Sequence, residues 1–154
     1  MQSSEYVTLK NNPAKWSKRM SPDVIGTTYI RNVYEMIFPT VLTHEVATSP
    51  TAPALQVGRM NIPTNLDNDW NDWYNQVYVP DYETVKGVIR GRLYQAVEGS
   101  PKYMTFYELE SAMLSQTEEW QKQQAAHPAN EKMREAMQHE FNSPGIWVKA
   151  FEIE

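Results

Sequence analysis

The fold is decided by residues 87–110, which read GVIRGRLYQAVEGSPKYMTFYELE. Residues 88–97 and 103–110 are rich in the β-branched and aromatic side chains that favour strands. Between them, residues 98–101 (Glu-Gly-Ser-Pro) have the composition of a tight turn. This stretch therefore predicts an antiparallel hairpin of two strands.

A strand and a helix are predicted before this hairpin. Residues 55–62 have the composition of a strand, and Asp67 is placed as the N-cap of a helix that follows. That helix presents a broad aromatic stripe at helical spacing, and Pro80 is expected to end it. The stripe consists of Trp70, Trp73, Tyr74 and Val77.

A second helical region and a last strand are predicted after the hairpin. Residues 112–141 are helical with a break at Pro128, and residues 146–153 form the strand. From residue 55 onward the order is therefore βαββαβ. A four-stranded antiparallel sheet with both helices on one face is the standard solution, because right-handed crossovers place both helices on the same side. The predicted fold class is α+β.

The start of the chain repeats part of this pattern. A helical stretch interrupted by Pro13 leads to a predicted strand at 27–38, and the same order of helix, Pro break and strand recurs near the end. The chain is interpreted as a partial repeat over 1–38, a Pro-rich linker over 39–54 and a complete unit over 55–154. The alternative is a chance likeness between two amphipathic helix-strand segments.

Strand alternation divides the predicted sheet into two faces. Small and aliphatic side chains, with one ring, are expected under the helices: Ile89, Gly91, Leu93, Met104, Phe106, Val148 and Ala150. The Arg and other aromatic side chains are expected on the opposite face: Arg90, Arg92, Tyr94, Tyr103, Tyr107, Trp147 and Phe151. So many rings on an open face would form a large exposed apolar patch. A second sheet is therefore expected to cover it.

Composition narrows the possible functions. The 154 residues suffice for one domain with a core, and the net charge of −5, with both signs interspersed, gives no footprint for nucleic acid or an anionic membrane. No apolar run is long enough to cross a bilayer, and the N-terminus lacks a signal sequence, so a cytoplasmic location is expected. The absence of Cys excludes disulfides and thiol chemistry.

Four motifs carry a resemblance to a known family: residues 70–81 (WNDWYNQVYVPD), 87–94 (GVIRGRLY), 98–103 (EGSPKY) and 107–110 (YELE). Together they resemble the EthD-like branch of the dimeric α+β barrel superfamily. The likeness covers residues 55–154. Residues 3–36 are similar to the second half of the same unit in longer members that carry two copies in tandem, so the chain resembles the C-terminal one and a half repeats of such a protein.

The resemblance implies a ferredoxin-like βαββαβ unit. In this superfamily two such sheets, from two chains or two repeats, face each other and close a barrel around a mostly apolar cavity. A homodimer through the complete unit is therefore expected. The alternative is another chain that supplies the elements missing from the first copy.

Tyr78 lies where relatives commonly place a His suspected of acid-base work. A phenol with an ordinary pKa of about 10 is a hydrogen-bond donor by default. As a catalytic residue, Tyr78 is therefore predicted to polarise a carbonyl or to stabilise a developing oxyanion, together with Arg92. The alternative is that Tyr78 packs at the helix end with its hydroxyl bonded to backbone or water.

A second group of residues is predicted to bind the substrate. An Arg among aromatic rings can hold a carboxylate or enolate in an apolar pocket. The alternative is that the Arg side chains extend into water over packed rings. The predicted substrate-binding residues are Arg90, Tyr94, Tyr103, Tyr107, Trp147, Phe151 and Asn61.

The three histidines are assigned surface or capping roles. His44 falls in the predicted linker, His127 directly precedes Pro128, and His139 falls on a charged helix. None has a recognised metal-ligand spacing, so no metal site is predicted. No cofactor is expected either; haem is a weaker option because no histidine falls on the predicted cavity face.

The resemblance implies a cofactor-independent isomerase, cyclase, decarboxylase or oxygenase that acts on a small aromatic or polyketide-like molecule. The alternative is a non-catalytic small-molecule binding or accessory protein of a catabolic pathway, which the Tyr at position 78 favours.

Overall fold

A computed structural model of the chain describes residues 4–11, 32–41 and 43–151. The chain divides into two units, Met1–Arg31 and Asn32–Glu154. In the first unit the described element is α1, Ser4–Asn11, which lies within the helix predicted near the N-terminus. The rest of that helix, the start of the strand predicted at 27–38 and the end of the last strand lie outside the described residues.

The second unit is a mixed α+β structure built on one open antiparallel sheet. Its strands are β1 (Val33–Phe38), β2 (Ala54–Asn61), β3 (Val88–Glu98), β4 (Tyr103–Leu109), β5 (Gln138–His139) and β6 (Gly145–Val148). The strand order is β1-β3-β4-β2-β5, and β6 also pairs with β2. The α+β class and the antiparallel sheet are confirmed. The sheet is wider than four strands because β1 pairs with β3 and two short strands share the far edge of β2.

The predicted hairpin is present as β3 and β4. The Ala96 backbone N–H donates to the Lys102 carbonyl at 2.8 Å next to the turn. Gly99 has a φ of 92°, a left-handed conformation that glycine adopts without steric strain. The Glu-Gly-Ser-Pro sequence therefore sets the position at which the chain reverses.

The helices of this unit are short, with two additional 3₁₀ turns at Thr64–Leu66 and Leu114–Gln116. They are α2 (His44–Thr48), α3 (Asp67–Trp73), α4 (Val79–Glu83), α5 (Glu118–Gln123) and α6 (Asn130–Glu135). None of the described helices is long and apolar enough to cross a membrane. The segment predicted as a linker, 39–54, contains α2.

Pro80 does not end the first helix, in contrast to the prediction. A turn of π-helix, Tyr74–Tyr78, joins α3 to α4, and the Val79 N–H donates to the carbonyl of Tyr74, five residues back. Pro80 follows directly in the first turn of α4. A proline without an N–H is tolerated in such a turn, and the wide π turn accommodates the change in hydrogen bonding.

The second helical region is shorter than predicted. Residues 112–141 contain α5 and α6 with the break at Pro128 between them, but residues 138 and 139 leave the helix and form β5. Among the described residues the last strand ends at Val148 rather than continuing to residue 151.

Helices α3 to α6 pack on one face of the sheet around an aromatic core. Its fully buried residues include Trp70, Tyr74, Tyr82, Tyr103, Leu93 and Leu109. Gly91 permits the close approach of α4 to β3, because a Cβ at this position would lie 2.5 Å from Val79 Cγ1. This face is therefore tightly closed over the centre of β3.

Tyr103 and Tyr107 lie on the helix-covered face, so their predicted placement on the open face is wrong. The β3–β4 register pairs Tyr107 with Gly91 and Tyr103 with Gln95, and antiparallel partners share a face. Both tyrosines are buried in the core.

Met104 and Phe106 lie on the opposite face, so their predicted placement under the helices is also wrong. They pair with Tyr94 and Arg92, and the rings of Tyr94 and Phe106 are 5.2 Å apart. Because β4 carries rings on both faces, alternation alone does not identify its buried side. The register with β3 decides it.

Candidate functional site

A pocket of about 260 Å³ lies between the sheet and the helices that cover it. We call it the tyrosine pocket. Its floor is formed by Gln56, Gly58 and Thr105 of β2 and β4. The wall is formed by the tyrosine cluster, which we define as Tyr74, Tyr78, Tyr82 and Tyr107, together with Trp120. The exposed His139 and Pro144 place its mouth beside β5.

The tyrosine cluster arises from helical spacing. Tyr74, Tyr78 and Tyr82 follow one another at intervals of four residues, so their rings lie in a row along one side of the helix. The ring centroids of Tyr74 and Tyr78 are 5.4 Å apart, and those of Tyr78 and Tyr82 are 4.8 Å apart. The Tyr74 hydroxyl donates to the Tyr107 hydroxyl at 3.2 Å, and the Tyr78 hydroxyl donates to the Tyr82 hydroxyl at 3.4 Å. The pocket is thus lined by apolar rings with paired hydroxyl groups.

Burial keeps all four hydroxyl groups of the cluster protonated. Loss of solvation is the main cause that raises the pKa of Tyr74, Tyr78, Tyr82 and Tyr107 above the ordinary value. The neighbouring Arg134 opposes this effect at Tyr78 but is the weaker influence. These phenols are therefore hydrogen-bond donors near neutral pH, not bases.

Gln56, Arg134 and His139 are further polar residues in the lining of the tyrosine pocket, as is Gln124. The Oε1 atom of Gln56 is buried and accepts no hydrogen bond from the described residues. Arg134 interacts with the Tyr78 hydroxyl. Partial burial lowers the pKa of His139, so its imidazole is neutral near pH 7 and can accept a proton or a hydrogen bond.

A larger cleft of about 700 Å³ lies between α5 and α6. Its lining is mostly exposed and includes His127, Glu131 and Glu135, whereas Arg134 borders both this cleft and the tyrosine pocket. We give it less weight, because a binding site encloses its ligand and this cleft is a surface groove.

The opposite face of the sheet carries a charged triad. Arg90 Nε lies 2.7 Å from Glu108 Oε2, and Arg92 Nη2 lies 2.5 Å from Glu108 Oε1. Arg90 also donates to the Ser49 hydroxyl. Both guanidinium groups are therefore engaged within the chain, rather than extended into water over packed rings.

A second cleft of about 400 Å³ lies on this face, and we call it the arginine cleft. It is formed by Leu55, Arg92, Tyr94, Phe106 and Glu108 together with residues 46, 47 and 49–52. The segment predicted as a linker therefore covers part of the face for which a second sheet was expected.

The structure separates the two predicted catalytic residues. Tyr78 lines the tyrosine pocket on the helix-covered face, whereas Arg92 lines the arginine cleft on the other face and pairs with Glu108. The expected joint action of Tyr78 and Arg92 on one ligand does not fit this geometry, because the sheet lies between them.

The predicted substrate-binding residues are similarly divided. Tyr107 belongs to the tyrosine pocket, whereas Arg90 and Tyr94 lie on the opposite face. The Tyr103 hydroxyl is engaged outside the pocket, since it donates to the Asp67 carboxylate at 3.0 Å. Sequence alternation predicted one site here, and the register of β4 divides it into two.

The other three predicted binding residues lie outside the tyrosine pocket and outside the arginine cleft. Asn61 accepts a hydrogen bond from the Lys102 backbone N–H at 2.9 Å, which supports the start of β4. Trp147 and Phe151 are 65% and 76% exposed. Binding roles for these three residues stay predictions.

Sequence reasoning missed most of the polar groups at the tyrosine pocket. The spacing of Tyr74, Tyr78 and Tyr82 is visible in the sequence, but the predicted aromatic stripe consists of Trp70, Trp73, Tyr74 and Val77 and does not include Tyr78 or Tyr82. His139 was placed on a helix surface, whereas β5 brings it opposite Met60 at the pocket mouth. Nothing in the local sequence marks Gln56 or Arg134.

The other two histidines have the predicted surface and capping roles. His44 is exposed at the start of α2, and His127 Nδ1 accepts a hydrogen bond from the Ala129 N–H at 3.1 Å. Among residues 4–11, 32–41 and 43–151, no group of three or more His, Asp or Glu side chains could hold a metal ion.

Comparison with protein-family models, with curated proteins and with solved structures finds no match to this chain.

Proposed function

We propose that this chain binds a small aromatic molecule in the tyrosine pocket and converts it without a cofactor. The observation that carries the proposal is the combination of an apolar ring-lined wall with a few convergent polar groups, Tyr78, Arg134 and His139. Small-molecule sites in proteins have this character. Isomerisation, cyclisation, decarboxylation and oxygenation are the reaction classes that the EthD-like resemblance implies.

Within that pocket, Tyr78 and Arg134 are suited to stabilise negative charge on a substrate oxygen. The Tyr78 hydroxyl keeps its proton and can rotate it from Tyr82 toward a ligand. The adjacent guanidinium adds further N–H donors in a partly desolvated site, where such contacts are strong. The neutral imidazole of His139 is the group best suited to accept a proton. Arg134 thus takes the charge-stabilising role that was predicted for Arg92.

A non-catalytic binding or accessory protein is the second candidate. It is favoured by the raised pKa of all four phenols in the tyrosine cluster, since none of them is activated as a base. Turnover of a ligand retained by the native protein, identified by mass spectrometry, separates this candidate from the first.

Replacement of Tyr78 by Phe tests the proposal. We expect turnover of the retained ligand to fall about 100-fold, because one donor to the developing oxyanion is lost. The melting temperature should change little, since the ring and its packing are kept. Tyr34→Phe is the matched control: the Tyr34 hydroxyl donates to the Pro101 carbonyl at 3.0 Å, away from the pocket.

Turnover should be unchanged in the control. Equal turnover in Tyr78→Phe and in the parent protein would instead assign Tyr78 to packing alone.

For the architecture, we propose a ferredoxin-like unit of the dimeric α+β barrel type. Support comes from the strand order β3-β4-β2-β6, in which the βαββαβ elements occupy the positions expected for such a unit, with α3, α4 and α5 on one face. In this interpretation β1 extends the sheet beyond β3, as the strand of the additional half-repeat.

We also propose that the protein is a homodimer. The rings of Tyr94 and Phe106 on the face opposite the helices are only half-buried, and an apolar face of this kind is suited to pair with its counterpart. Multi-angle light scattering at micromolar concentration should give twice the 17.9 kDa mass of the chain. A monomeric mass at that concentration would rule out the dimer and leave the pocket proposal untouched.

A further inference from the structure

Among the described residues, the lining of the tyrosine pocket has a positive charge and no negative one. Arg134 is the one permanently charged side chain among the described residues that line it, and no Asp or Glu belongs to its lining. His139 is neutral near pH 7, because partial desolvation of its ring on the pocket side lowers its pKa. The pocket lining therefore favours a negative charge on the occupant.

The nearest acidic residues on the same helix do not neutralise Arg134 by direct contact. Glu131 and Glu135 border the outer cleft between α5 and α6, which Arg134 also lines. Arg134 forms no salt bridge with the residues that the structure describes. Its guanidinium is thus available to a ligand at the pocket mouth.

The floor of the same pocket has an unmatched acceptor. Gln56 Oε1 is buried without a donor from the described residues, although Gln56 belongs to the pocket lining. A buried acceptor without a partner is unfavourable, because it has lost its hydrogen bonds to water and gained none in return. A ligand hydroxyl or amino group directed at the floor would remove that penalty.

The pocket volume restricts the ligand to a small molecule. An engineered cavity of about 150 Å³ is large enough for benzene. A volume of about 260 Å³ then fits one aromatic ring with substituents, rather than a multi-ring polyketide. The rings of the tyrosine cluster, which are tilted against one another, provide apolar surface that such a ring can contact.

From these observations we infer that the natural ligand is a monocyclic aromatic anion that also carries a hydroxyl or amino group. Its negative charge lies next to Arg134 and its donor group lies next to Gln56. This inference rests on the proposed function of the tyrosine pocket, and it narrows the ligand from any small aromatic molecule to hydroxy- or amino-substituted monocyclic aromatic anions, of which the hydroxybenzoates are the simplest.

Calorimetric titration with matched probes tests the inference. The probes are 3- and 4-hydroxybenzoate, the two corresponding hydroxybenzamides, which are neutral, and benzoate, which lacks the donor group. In the parent protein we expect the better hydroxybenzoate to bind about tenfold or more tightly than its amide, because the amide lacks the charge-assisted hydrogen bond to Arg134. We expect the same difference from benzoate, because benzoate lacks the buried hydrogen bond to Gln56.

Two variants assign these preferences to residues. Arg134→Gln should remove the preference for the acid over the amide, and Gln56→Leu should remove the preference for hydroxybenzoate over benzoate. Lys132→Gln is the matched control, because Lys132 lies exposed on α6 outside the pocket and its replacement should leave both preferences intact. Circular dichroism confirms that each variant is folded.

The outcomes distinguish the inference from the proposed function. If the amides bind the parent protein as tightly as the acids, the inference is overturned and the pocket proposal stands. If none of the five probes binds at millimolar concentration, the inference is overturned, and the pocket proposal is overturned with it if mass spectrometry also finds no aromatic ligand retained by the native protein. An acid preference that survives in Arg134→Gln would also overturn the inference, because another group would then recognise the charge.

Discussion

Replacing Trp70 by Ala should lower the free energy of unfolding by about 3–5 kcal/mol. Trp70 is 0% exposed, and its ring lies 4.7 Å from that of Tyr74 and 5.0 Å from that of Tyr103. Truncation leaves a cavity between the helix and the sheet that these large rings cannot readily fill. Urea denaturation followed by circular dichroism measures the loss.

Phe141→Ala is the matched control for this substitution. The Phe141 side chain is 85% exposed, so its loss should change the free energy of unfolding by no more than about 0.5 kcal/mol. If Trp70→Ala lowered the free energy of unfolding no more than Phe141→Ala does, the helix that carries Trp70 would not cover the sheet as described. The core and the tyrosine pocket would then be misplaced together.

Replacing Glu108 by Ala should lower the free energy of unfolding by about 2–4 kcal/mol. The substitution leaves Arg90 and Arg92 as two adjacent unpaired cations on the sheet. Loss of one partner from a fully buried pair typically lowers stability by about 3–5 kcal/mol, and the effect is smaller here because both Arg side chains keep some exposure. The same denaturation measurement applies.

Glu110→Ala provides the comparison, because Glu110 is exposed just beyond the end of β4. It should change stability little. If Glu108→Ala left stability unchanged but altered ligand affinity, the Arg pair would be a binding site rather than a structural triad.

The hairpin was predictable from the sequence because local chemistry determines it. Gly99 and its neighbours form a turn whatever surrounds them, and the flanking β-branched and aromatic runs favour strands. The α+β class followed from the order of elements. Pro80 misled the prediction, since a π turn ahead of it allows the helix to continue.

The division of the candidate site between two faces was not predictable from alternation. Tyr103 and Tyr107 alternate with Met104 and Phe106, so both sides of β4 are hydrophobic enough to be buried. What identifies the outer side is Glu108, whose carboxylate lies between two Arg side chains of β3. That information is contained in the register between strands, not in either strand alone.

The polar groups of the tyrosine pocket depend on contacts between distant parts of the chain. Gln56, Arg134 and His139 come from β2, α6 and β5, and only the folded sheet brings them to one cavity. The helical spacing of Tyr74, Tyr78 and Tyr82 was the one local signal, and such a stripe is equally typical of a core.

The most direct test of the account is an NMR titration of isotopically labelled protein with 4-hydroxybenzoate. Binding in the tyrosine pocket should shift the backbone amides of Gly58 and Thr105 and the indole N–H of Trp120, because these residues line the pocket. Shifts confined to Leu55, Arg92 and Glu108 of the arginine cleft, with the pocket signals unchanged, would contradict it.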